Sequence, residues 1–140
     1  MFRLSKQIEY SLMALSDLNE SGGALSVSEI AQKRAVSKNT LSKVMRFLQL
    51  GEVIRSKQGV AGGYEISAQL EDLSLYDLLV IFGEVKKLGC SDETSKCELS
   101  QSCNIQTPLK VWESEFEKFL KATPISQFLK SPAKLLGSEL

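Results

Sequence analysis

The sequence predicts a mainly α-helical fold with a small β-hairpin wing: a winged helix-turn-helix followed by a long C-terminal dimerisation helix. Three observations carry this. Amphipathic helical periodicities, each bounded by capping serines or by glycine, follow one another over residues 4–51. Two strand-like stretches then flank the glycine-rich run Lys57-Gln58-Gly59-Val60-Ala61-Gly62-Gly63. Finally, large apolar residues recur at helical steps from Leu109 to Leu120, beyond an irregular stretch that holds all three cysteines.

Leu4, Ile8, Leu12, Leu15 and Leu18 recur at steps of three and four, one apolar face of a first helix that ends before Gly22-Gly23. A short extended piece at residues 25–27 leads to a second helix running to about Arg34. Ser26 or Ser28 caps it, Ser26 and Glu29 standing in capping-box register, with Ile30 and Ala31 facing inward. A tight turn at Ala35-Val36 brings Ser37, a good N-cap, to the start of a third helix. Its apolar residues Leu41, Val44, Met45 and Leu48 leave Lys38, Asn39, Ser42, Lys43 and Arg46 on the other side, and Gly51 stops it. Residues 53–56 and 64–67 are strand-like, and the glycines between them suit a hairpin loop.

Ser74 with Asp77 caps a further helix carrying Leu75, Leu78, Leu79 and Phe82, expected to pack against the head, with Gly83 near its end. Thr107-Pro108 opens a longer helix in the favoured cap-then-proline order. Leu109, Trp112, Phe116 and Phe119, widened by Val111 and Leu120, form its apolar stripe. Such a stripe either covers the chain's own core or pairs with a second copy, and pairing is the expectation here. Thr123-Pro124 breaks the helix; Ile125, Phe128 and Leu129 are expected to add a short final turn on the partner. The expected organisation is a winged helix-turn-helix over residues 1–84, a cysteine loop over 85–106, a dimerisation helix over 107–130 and a frayed tail over 131–140.

Two short helices joined by a tight turn, the second polar and opening with hydrogen-bond donors, make the arrangement whose second helix enters the DNA major groove. The wing adds Arg55, Lys57 and backbone amides able to reach phosphates or the minor groove. Charge agrees once counted by segment. Seventeen basic and seventeen acidic residues cancel over the chain, yet residues 27–66 carry seven basic against three acidic, and residues 67–106 three against seven. QGVAGG lacks the lysine and serine of a P-loop, and a chain without histidine, nucleophile elbow or paired carboxylates has no acid–base constellation, so an enzyme is not expected. No apolar run approaches membrane-spanning length and the N-terminus lacks a signal peptide's features, which points to the cytoplasm. Reducing conditions there leave thiols free as ligands.

Cys90, Cys97 and Cys103 stand as C-x6-C-x5-C among Ser, Asp, Glu and Lys. Three is odd for a disulfide framework and the spacing is too wide for a structural zinc site, so a cluster held by three thiolates and one further ligand fits better than three unrelated free thiols.

This order of parts resembles the family of winged-helix regulators that includes the iron-sulfur cluster regulator IscR and the nitric-oxide-sensitive repressor NsrR. The resemblance spans roughly residues 2–130. It rests on FRLSKQIEYSLMAL, on VSKNTLSKVMRFLQLGEVIRSKQGVAGGYEIS, on LSLYDLL, and on three cysteines before the long helix. It implies a DNA-binding repressor, working as a homodimer on palindromic half-sites of a double-stranded operator, with an iron-sulfur cluster (4Fe-4S or 2Fe-2S) sensing iron-sulfur status, nitric oxide or redox stress. By this resemblance the metal ligands are Cys90, Cys97 and Cys103. Some members place a histidine three residues after the last cysteine; Gln106 stands there in this chain. Glu9 on the first helix matches the carboxylate ligand of the nitric-oxide-sensing branch, and an exposed helix charge is its plain alternative. The expected DNA-contacting set is Ser28, Ser37, Lys38, Asn39, Thr40, Ser42, Lys43 and Arg46 on the helices, with Arg55, Lys57, Gly59, Gly62, Gly63 and Tyr64 on the wing. Two other readings stand beside it: a cluster-free regulator that senses through its thiols or otherwise, and a protein-interaction module or cluster carrier.

Overall fold

The structure, a computed structural model, describes residues 3–86 and 97–129. Along the chain run α1 (Lys6–Ser21), α2 (Val27–Arg34), α3 (Lys38–Leu50), β1 (Ile54–Lys57), β2 (Gly63–Ile66), α4 (Leu75–Ile81), α5 (Gln106–Lys121) and a 3-10 helix (Ile125–Leu129). Helices with one two-stranded antiparallel hairpin are the predicted class. The tail from residue 131 and residues 87–96 of the cysteine loop, Cys90 included, lie outside the described residues.

Local chemistry sets most boundaries. The Ser5 hydroxyl accepts the Ile8 N–H at the start of α1, and Gly22, left-handed at φ 62°, ends it. Ser26, rather than Ser28, caps α2 in a complete capping box: Glu29 N–H donates to the Ser26 hydroxyl at 3.1 Å and Ser26 N–H to the Glu29 carboxylate at 2.6 Å. Ser74 and Asp77 repeat the motif at α4.

α3 ends at Leu50 with Gly51 at its C-cap, as expected, but Gly51 has φ −80° and the left-handed residue is Glu52 at φ 59°. Gly51 is also a close-approach site, where a Cβ would lie 2.7 Å from Ile81 Cδ1. One expected boundary differs. α5 begins one residue before Thr107, with Ile105 at the cap position and no side-chain cap. Pro108 thus sits inside the first turn, where its missing N–H has no intrahelical partner to lose.

α1 is the central strut. Ile8, Ala14 and Leu15 are fully buried among Ile30, Leu41, Val44, Met45, Leu48 and Leu78, each such large aliphatic contributing about 2 kcal/mol. α4 closes the head from the other side, Phe82 lying against Phe47 with ring centroids 5.3 Å apart. The final turn packs on its own chain: Ile125 is fully buried and Leu129 nearly so, in contact with α1. Two backbone bonds strap it to the start of α4, Leu75 N–H to Thr123 O at 2.8 Å and Ile125 N–H to Leu73 O at 2.7 Å. This corrects the expected docking of Ile125 and Leu129 on a partner; the apolar side chains complete the core of the protomer that carries them.

Candidate nucleic-acid interface

α3 buries Leu41, Val44, Met45 and Leu48 to within 2% exposure, which fixes its rotation about its own axis. The opposite face then presents Lys38, Asn39, Thr40, Ser42, Lys43 and Arg46 to solvent, as predicted. Ser37 is already engaged: its hydroxyl accepts the Thr40 N–H at 3.1 Å and donates to the Thr40 hydroxyl at 2.8 Å. Ser28 is exposed in the first turn of α2.

The wing is anchored from behind. Leu25 and Tyr64 exchange backbone hydrogen bonds of 3.0 and 2.8 Å, so the segment between α1 and α2 adds a bridge to β2. At Gly63, φ 149°, a Cβ would stand 2.4 Å from the Leu25 carbonyl oxygen; only glycine admits this approach. Gly62 closes the loop with its N–H on Gly59 O at 3.0 Å. The Tyr64 ring is half-buried against the core. Gly62, Gly63 and Tyr64, three of the six wing residues expected to touch DNA, therefore have a reason inside the protein for being what they are. Val60, fully exposed, marks the tip.

Electrostatics separate the basic residues into two groups. Arg55 stands opposite Glu65 in the strand register and donates to its carboxylate at 2.8 Å, with Lys57 3.8 Å from the same group. The Arg55 guanidinium holds the Glu65 carboxyl below its ordinary range. Arg34 makes a forked bond to Asp17, Nε to Oδ2 at 2.8 Å and the second nitrogen to Oδ1 at 2.5 Å, while Lys33 reaches Oδ1 at 2.7 Å. The Asp17 side chain has no exposed surface. Burial pushes its pKa up, but Arg34 and Lys33 outweigh that and hold it low. Lys38, Lys43 and Arg46 make no ion pair among the described residues. Of the basic residues in 27–66, those without an ion pair among the described residues thus sit on the outer face of α3.

Asp17 and Glu65 were not singled out in the sequence. Asp17 and Arg34 are seventeen residues apart with no local spacing rule to join them. The Arg55–Glu65 pair did leave a signal, since strands flanking a loop at residues 58–62 put position 55 opposite 65.

Of the proposed metal ligands, Cys97 is exposed and Cys103 half-buried, both as free thiols, in turns closed by Ser100 N–H on Cys97 O and Ser102 N–H on Leu99 O. Cys90 lies outside the described residues. Glu9 is half-buried and paired with Lys6 at 2.5 Å. Among the described residues no group of three or more Cys, Asp or Glu side chains is gathered to hold a metal ion. No described helix is long and apolar enough to cross a membrane.

α5 buries only Leu120. Val111, Trp112 and Phe119 are 57, 58 and 62% exposed, the Trp112 and Phe116 rings stacking at 5.6 Å. Between α4 and α5, Tyr76, Leu79, Val85, Trp112, Phe116 and Leu120 line a mainly apolar cleft of about 310 Å³.

Comparison with known proteins agrees with this reading of the fold. The backbone superposes on CymR, the global cysteine regulator of B. subtilis, with a TM-score of 0.68 at 19% identity, covering 92% of this chain and 97% of that one. IscR of T. potens gives 0.68 at 17% identity, covering 99% and 92%. In sequence, a proposed helix-turn-helix-type transcriptional regulator of Aquifex aeolicus is 26% identical over 136 residues, 94% of each chain. The profile of Rrf2, described as an iron-dependent transcriptional regulator, matches residues 4–131. Reading helix, wing and long terminal helix thus fall in one profile, and the chain belongs to the Rrf2 family of DNA-binding transcriptional regulators.

Proposed function

We propose that the chain is a homodimeric repressor that reads a palindromic operator and responds to iron-sulfur status, nitric oxide or redox stress. The observation that carries the DNA-reading part is the outer face of α3, where Lys38, Lys43 and Arg46 are exposed and uncommitted beside Asn39, Thr40 and Ser42. Cations of this kind hold phosphates, and amide and hydroxyl groups read base edges. The exposed stripe of Val111, Trp112 and Phe119 supports pairing of two α5 helices. Pairing sets two α3 helices on half-sites about 34 Å apart.

The donor set suits an iron-sulfur cluster: Cys97 and Cys103 are free thiols, and among the described residues the Glu9 carboxylate pairs with the surface Lys6, a contact that exchanges readily. Cys90, Cys97 and Cys103 would hold the cluster, with Glu9 of the paired protomer as fourth ligand. Bound there, it would supply a redox-labile joint between the cysteine loop and the reading heads. Both heads must match the half-site spacing at once. Each well-placed base contact is worth about 1–3 kcal/mol, so a small relative shift of the heads releases the operator.

Anaerobic purification with iron and sulfide counting, followed by operator titration of loaded and stripped protein, tests this. The expected result is iron and sulfide in equal amounts, lost in a variant with all three cysteines changed to alanine, with operator affinity tracking the loading. A cluster-free regulator sensing through its thiols is the second reading. It draws on the exposed Cys97 thiol; protein free of iron whose operator affinity follows thiol oxidation would establish it.

A further inference from the structure

Lys33 and Arg34 count toward the basic character of the head, yet both are paired with the buried Asp17 carboxylate. We propose that Asp17 is a positioning residue for DNA reading: through the Arg34 fork it fixes the end of α2 on α1 and so sets the angle at which α3 is presented. The inference rests on the operator-reading function proposed above.

The geometry supports it in three ways. Asp17 sits on the strut of the core, between the buried Leu15 and Leu18, so its carboxylate has a fixed origin. Arg34 is the last residue of α2, followed by Ala35 in the left-handed region at φ 52° and then by Ser37, the cap of α3. A forked guanidinium–carboxylate pair constrains orientation as well as distance, which one hydrogen bond or a lysine does not. The turn itself is closed by backbone bonds, Val36 N–H on Ala31 O at 3.1 Å and the Ala35 N–H shared between Ala31 O and Gln32 O. The lever arm is long. A tilt of about 10° at the near end of a helix about 20 Å in length moves the far end by roughly 3 Å, a hydrogen bond's span.

Stability alone does not call for this pair. Buried ion pairs are often replaceable by apolar side chains without loss of stability, whereas specificity of arrangement is a role they can serve. Nor does electrostatic attraction for DNA explain a buried acid in a basic head; Asp17 works against it.

The test compares wild type with Asp17→Asn, Arg34→Lys and Lys33→Ala, using an operator selected from random duplexes by the wild-type protein. Affinity for that operator and for an unrelated duplex is measured by fluorescence anisotropy, with helix content and Tm followed by circular dichroism. Positioning predicts that Asp17→Asn and Arg34→Lys lower the ratio of operator to unrelated affinity at least about tenfold. Affinity for the unrelated duplex should hold steady, or rise in Asp17→Asn because a negative charge is gone. Lys33→Ala, which removes a point charge and leaves the fork, should keep the ratio. Folded variants with an unchanged ratio overturn the inference, as does an equal loss on both duplexes. If Asp17→Asn fails to fold, Arg34→Lys decides, since it retains the charge and loses only the fork. A wild-type protein that selects no operator refutes the DNA-reading proposal itself, a result separate from these.

Discussion

Arg55 and Glu65 face each other across the hairpin, guanidinium on carboxylate at 2.8 Å, and Lys57 leans on the same acid. The wing therefore carries its own counter-ion. In contrast, α3 has none among the described residues, so the two elements differ in how readily they meet a phosphate. On the proposed reading, α3 offers cations at no cost in broken pairs, while the wing must first surrender Glu65.

Replacing Glu65 by alanine should free both wing cations. DNA affinity is expected to rise, and the slope of log affinity against log salt to steepen by about one for each cation that reaches a phosphate. Anisotropy titrations across a salt series measure the slope. An unaltered slope would show that Arg55 and Lys57 stay clear of the backbone of DNA.

At Gly63 an added methyl runs into the Leu25–Ser26 peptide, the Leu25 carbonyl oxygen at 2.4 Å and Ser26 nitrogen at 2.7 Å, with φ at 149°. Gly63→Ala should cost about 2 kcal/mol or more and lower Tm by roughly 6 °C. Gly59, at φ 113° with nothing within 4 Å of its added Cβ, carries backbone strain alone. Thermal melts should rank Gly63→Ala below Gly59→Ala, and the reverse order would mean that the bridge to Leu25 does not hold the wing.

The contrast between these glycines shows what the sequence could and could not disclose. Capping boxes at Ser26–Glu29 and Ser74–Asp77 are legible because a cap bonds three residues along the chain, whatever the tertiary fold. The inward face of α3 is legible for the same local reason, the 3.6-residue period. Gly51 and Gly63 read as helix stop and turn residue, yet Ile81 and Leu25 decide them. Asp17 reads as one more polar position on α1 until the fold brings Arg34 to it. The fate of Ile125 and Leu129 depended on where α1 lies relative to the chain end, which no spacing encodes. The α3 face was thus readable outright, and the electrostatic restraint on its neighbours was not.

Acid should act on the head through Asp17. Its folded pKa lies below the ordinary value, despite burial, because Arg34 and Lys33 stabilise the ionised form. The unfolded chain then binds the proton more readily, so stability rises with pH: the contribution is complete above about pH 5 and is lost as pH falls through the folded pKa. Glu29, held low by the Ser26 backbone N–H, works in the same direction. Tm measured from pH 3 to pH 6 should show a gap between wild type and Asp17→Asn that closes toward the acid end. A gap independent of pH would mean that the carboxylate's charge is not what stabilises the pair.

The last expectation concerns α5, where exposure and burial divide along one helix. Leu120 is 6% exposed and anchors the helix on the head; Trp112 and Phe119 are more than half exposed and stand outside that core, stacking on Phe116 of the same helix. Changing both aromatics to glutamate should leave the fold intact, because little of their surface leaves water when the monomer folds. In the proposed dimer the same change puts two charges on each of two facing helices, and a paired interface does not tolerate unpaired buried charge. Sedimentation should therefore find a monomer of unchanged helix content, with operator affinity down by about a hundredfold or more once the two half-sites no longer share one binder. Leu120→Ala should behave in the opposite way, costing about 3 kcal/mol of stability through the cavity it leaves. A glutamate variant that unfolds, or that remains dimeric, would place the aromatic stripe in the protomer's own core or outside the pairing surface, and the spacing of the two α3 helices would then have to be set by another part of the chain.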